Sequence, residues 1–166
     1  MNETIRNSEV VLLLAATAVA EIVFANYLPA ALYLDLSLVL VLYFGWNSSP
    51  AKGAVSGMAF GLLQDAISGI YLGLNGLSKT LMGFGGAYLS KWLLLEGLLA
   101  RCVLIGLLSA VDEGIVVGMR ALLGQTIQQE VWLRILIQVP VTGIAGGVIF
   151  HFYDRIKFPE KNFRQF

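Results

Sequence analysis

Charge is scarce in this chain. Only 13% of its 166 residues are charged, and 57% are hydrophobic. Soluble globular domains carry roughly 25% charged residues. The mean hydropathy is +0.76. These values exclude an ordinary soluble domain and point to an integral membrane protein. There is one cysteine, Cys102, and one histidine, His151. A lone cysteine forms no disulfide within the chain, and one Cys with one His builds no ordinary transition-metal site. No nucleophile–base pattern, phosphate loop or nucleic-acid signature is present. The sequence therefore points away from an enzyme, with no cofactor, no metal and no nucleic-acid partner expected.

What remains is a series of apolar runs. A bilayer crossing needs ~20 mostly apolar residues, so the chain has room for six. We place spans at about 10–25, 29–46, 50–67, 76–92, 98–123 and 131–153, in one transmembrane domain over residues 1–166. The first run carries Glu21 and lacks a small-residue cleavage site, so it reads as a retained span rather than a signal peptide. Pro29 suits the first helical position of span 2. Ser49 with Pro50 gives a capped start to span 3. Asn75 is the expected cap of span 4, and Pro140 a kink in span 6. The fold class expected is all-α.

Orientation follows the bases. With six spans, one side holds Arg6, Lys52, Lys91, Arg101, Arg155, Lys157, Lys161 and Arg164, and the other only Lys79, Arg120 and Arg134. The positive-inside rule puts both termini in the cytoplasm. Trp46, Trp92 and Trp132 fall near span ends, where interface tryptophans gather. The basic, aromatic tail from His151 suits an anionic lipid surface.

Glycine is the abundant exception. Gly53, Gly57 and Gly61 recur every fourth residue of span 3 and end in Asp65. Small residues at that spacing form a groove in which another backbone can lie closely. Gly114–Gly118 and Gly143–Gly147 repeat the pattern, so a compact bundle is expected. Asp65 should face protein or water, since a lipid-facing carboxylate is costly. A contact from Gln64 and Asp65 to Lys79 across the 3–4 turn is expected. The turn itself, Ser68 to Asn75, carries Gly69 and Gly73 among large apolar residues. Such a loop must be buried or covered. Glu21, Asp35, Lys79, Asp112 and Glu113 are the intramembrane polar residues. Asp35 reads as the second turn of span 2. Asp112 and Glu113 are neighbours on a helix and point ~100° apart, so one should face the bundle and the other a neighbour or cavity.

Two stretches resemble a known family. Pro29 and Asp35 open span 2; Gly57, Gly61, Leu62 and Asp65 follow in span 3; and Gly69, Leu72, Gly73, Leu74, Asn75 and Leu77 lead into a helix bearing Gly83. This segment, about residues 29–90, resembles the bacterial rod shape-determining MreD family. The resemblance implies a six-span protein of the cytoplasmic (inner) membrane, with a bundle similar to the substrate-binding subunits of energy-coupling-factor transporters. It also implies a non-catalytic place in the elongation complex beside MreC, MreB, RodA and a class B penicillin-binding protein, which together build lateral-wall peptidoglycan and keep cells rod-shaped. On that basis Gly53, Gly57, Gly61, Asp65, Gly69, Gly73 and Asn75 are expected to pack helices or meet the partner. The shared bundle also allows a vitamin-like solute binder, with Tyr27, Tyr33, Tyr71 and Asn75 as its walls.

Overall fold

A computed structural model of the chain describes residues 34–68, 72–90, 92 and 97–157. Span 1, with Glu21, lies outside the described residues. So do Pro29, Tyr27, Tyr33, Gly69, Tyr71 and the tail beyond Lys157.

The described residues form five helices, α1 (Leu36–Asn47), α2 (Pro50–Ser68), α3 (Leu74–Leu89), α4 (Leu98–Leu122) and α5 (Gln129–Lys157). No strand occurs among them. Two helices, α4 and α5, are long and apolar enough to cross a membrane.

Helix α1 is the hub. It packs against all four others, while α2 pairs with α3 and α4 with α5. Its side chains explain this. Leu38, Val39, Val41, Leu42 and Phe44 leave almost no surface exposed, on every side of the helix. A helix apolar all round must be enclosed. One cluster joins Leu38, Leu42 and Tyr43 to Met82, Ile105, Leu108 and Phe150 from α3, α4 and α5. A smaller one joins Val41 and Phe44 to Phe60 of α2. Phe150 also meets the edges of Tyr43 and Trp46, with ring centres 5.2 and 4.9 Å apart. Trp46 thus turns its ring inward, whereas Trp92 and Trp132 are exposed.

The helix starts depart from expectation twice. Asp35 is the N-cap of α1, not a residue of its second turn: its Oδ1 accepts the Leu38 N–H at 2.8 Å. That bond stabilises a helix start at this point. The cap of α3 is Gly73 rather than Asn75, with φ of 106°. That left-handed conformation favours glycine. Asn75 sits in the first turn instead. The expected start of α2 holds, since Ser49 caps it through the Lys52 and Gly53 N–H groups. Helix α5 runs through Pro140 without ending.

Candidate functional site

The glycine rail packs within the molecule, against α3. A side chain on Gly53 would overlap the carbonyl of Gly83; on Gly57, that of Lys79; on Gly61, that of Asn75. Each carbonyl lies one helical turn from the last. The backbone of α3 can approach this closely only because the rail carries no side chain at these positions. Gly83 and Gly76 supply the reciprocal small positions. The second small-residue face, Gly143 and Gly147 of α5, meets Cys102 and Gly106 of α4 in the same manner. The third does not pack. Among the described residues nothing lies within 4 Å of a Cβ placed on Gly114 or Gly118, because that side of α4 turns away from both α3 and α5.

Asp65 ends the rail, and its partners are backbone amides. The Gly73 and Gly76 N–H groups donate to Oδ2 at 2.8 and 3.1 Å. The Asn75 N–H and its side-chain amide donate to Oδ1 at 3.2 and 2.8 Å. The carboxylate therefore caps α3 from the end of the preceding helix. It satisfies N–H groups that a helix start leaves unpaired and places negative charge at the positive end of the helix dipole. The Asp65–Lys79 pair expected from the sequence does not form: both carboxylate oxygens are occupied, and Lys79 is engaged elsewhere.

Lys79 is fully buried, between two other acids. Its Nζ donates to Asp35 Oδ2 at 2.6 Å and to Asp112 Oδ2 at 3.1 Å. Asp112 Oδ1 also accepts the Ser78 hydroxyl. The Asp35 N–H donates to Thr142 Oγ1 at 3.2 Å. One polar knot thus ties α1, α3 and α4 to each other and reaches α5. Burying charge is costly unless each member is paired and hydrogen-bonded, and all four carboxylate oxygens here accept a bond.

Glu113 points elsewhere, as neighbouring helix positions must. Its carboxylate accepts from Gln138 Nε2 at 2.6 Å, and Gln138 Oε1 accepts from Arg134 Nε at 3.3 Å. Asp112 faces the bundle and Glu113 faces α5. Ser78, Gln138 and Thr142 are site residues that the sequence reading passed over. A signal was present: Arg134, Gln138 and Thr142 stand four apart, a polar line down an apolar helix.

The structure therefore joins Asp35, Lys79 and Asp112 in one site, and Asp65, Gly73 and Asn75 in another. One amide N–H of Asn75 donates to Asp65. No group of three or more His, Cys, Asp or Glu among the described residues is placed to hold a metal ion. The chemistry available is cohesion between helices. A family model for the rod shape-determining protein MreD matches residues 2–152. The chain belongs to the MreD family. Membership assigns it to the proteins that determine rod shape. The family is membrane-associated, which agrees with two helices long and apolar enough to cross a membrane. Neither curated proteins nor solved structures give a match.

Proposed function

We propose that this MreD-family chain is a non-catalytic scaffold of the rod complex that binds the transmembrane and juxtamembrane segment of MreC. In this reading it crosses the inner membrane six times, with both termini in the cytoplasm. The described helices supply five crossings and the apolar run at 10–25 the sixth. The same reading gives it a bundle of the kind expected from the family resemblance, similar to energy-coupling-factor substrate-binding subunits, and has it meet MreB, RodA and the class B penicillin-binding protein through MreC.

One observation carries the proposal. The small face at Gly114 and Gly118 is open among the described residues, on a helix long enough to span a bilayer. Beside it Leu107 and Val111 are exposed. Within lipid a small-residue groove favours association by close helix packing. A single transmembrane segment such as that of MreC suits such a groove. The rail at Gly53, Gly57 and Gly61 supports the interface indirectly, because it is already filled by α3.

The test is co-purification with MreC in mild detergent. Gly114→Leu and Gly118→Leu should insert and fold normally yet lose MreC, and cells carrying them should round up. Undiminished recovery of MreC with both variants would remove this face from the interface.

A further inference from the structure

A cavity of about 110 Å³ lies where α4 ends and α5 begins, away from the buried triad. Arg120, Gln125, Thr126 and Gln128 give it a polar side, and Val117 and Val131 an apolar one. Two of its polar side chains hold buried donors with no acceptor among the described residues: Arg120 Nε and Gln125 Nε2. Buried donors are nearly always bonded, so each unpaired one needs an explanation. Two of them lining one cavity point to an absent acceptor.

The nature of the acceptor follows from its surroundings. Arg120 brings a full positive charge and a planar fork suited to an oxyanion. The first turn of α5 adds the partial positive charge of a helix start. The acid of that turn, Glu130, is exposed and is not part of the lining. A water claims about 30 Å³ in the liquid, so the cavity holds three or four waters, or one phosphate-sized group. At the adjoining ends of α4 and α5, Leu122, Leu123, Trp132, Leu133 and Leu136 are all exposed. Tryptophan favours the headgroup level of a membrane, and the leucines continue along the helices as an acyl chain would.

We propose that the α4–α5 turn binds the headgroup phosphate of a phospholipid, with Arg120 and Gln125 as its donors. The lipid tails lie over Leu133 and Leu136. The proposal rests on α4 and α5 crossing the membrane, and it is independent of MreC.

The full chain, purified in non-ionic detergent, is titrated with phosphatidylglycerol in mixed micelles and followed by native mass spectrometry and tryptophan fluorescence. Diacylglycerol serves as the phosphate-free lipid and inorganic phosphate as the tail-free anion. The wild type should retain phosphatidylglycerol and not diacylglycerol. Arg120→Gln should weaken retention about tenfold, the loss of one charge-assisted hydrogen bond, and Gln125→Leu should weaken it by a smaller factor. Equal binding by wild type and both variants would overturn the proposal. So would equal retention of diacylglycerol, or saturation of the cavity by inorganic phosphate alone. Circular dichroism checks the fold; should Arg120→Gln not fold, Gln125→Leu decides. Alkaline carbonate extraction tests the membrane reading separately: release of the chain from membranes would refute that reading whatever lipid binds.

Discussion

The main-chain carbonyl of Lys79 occupies the place where a side chain on Gly57 would sit. One residue therefore serves two contacts. Its backbone fits the rail of α2, and its ammonium group holds Asp35 and Asp112. A shift of α2 against α3 moves the triad as well.

Gly57→Leu is accordingly expected to destabilise the bundle beyond ordinary overpacking, which costs about 1–3 kcal/mol. The clash is with backbone, which cannot swing aside. Thermal melting in detergent should show a large fall for Gly57→Leu and little change for Gly85→Ala, where a Cβ meets nothing within 4 Å.

Lys79→Met removes the cation and leaves two carboxylates buried. Breaking a buried pair in this way costs about 3–5 kcal/mol. Adding Asp112→Asn to Lys79→Met should recover part of the loss, because an amide needs no counter-charge. Unfolding of the single and double variants by denaturant checks this, and no recovery would show that the charges are not the source of the loss.

Asp65→Ala strips four donors of their acceptor at the start of α3. Losing a helix cap costs about 0.5–2 kcal/mol, and the shared site should place this variant at the upper end. A double-mutant cycle distinguishes the two sites. Asp65 and Lys79 should be additive within about 0.5 kcal/mol. Asp35 and Lys79 should be strongly coupled.

Gln138→Leu leaves the Glu113 carboxylate without its amide donor and Arg134 without its acceptor. Glu113 is half-buried and Arg134 exposed, so the loss should fall below the about 1–3 kcal/mol of a fully buried unsatisfied group. Glu113→Gln in the same background should restore stability, read by thermal melting.

The sequence showed the helices better than their partners. Ser49–Pro50 punctuates the chain, so α2 appeared within a residue of its observed end. The four-residue spacing of Gly53, Gly57 and Gly61 marked a packing face correctly. It could not say whether a face is filled: Gly143–Gly147 is buried against α4, and Gly114–Gly118, written the same way, has no neighbour among the described residues. The ion pairing was read wrongly for a related reason. Asp65 is the acid nearest Lys79 across the turn. What excluded it was the demand of unpaired backbone N–H groups at the start of α3, which a string of side chains does not display. The true partners stand 44 and 33 residues away and meet Lys79 only through the arrangement of α1 and α4.

The triad also sets an order of events in synthesis. Asp35 leaves the ribosome before Lys79, and Asp112 after it. When α3 is first made, one carboxylate partner of its lysine has already been synthesised, and the second arrives with α4. A buried lysine is costly unless it is paired and hydrogen-bonded, so α3 depends on acids from the helices made before and after it. Chains released before residue 112 carry that lysine with half its partners.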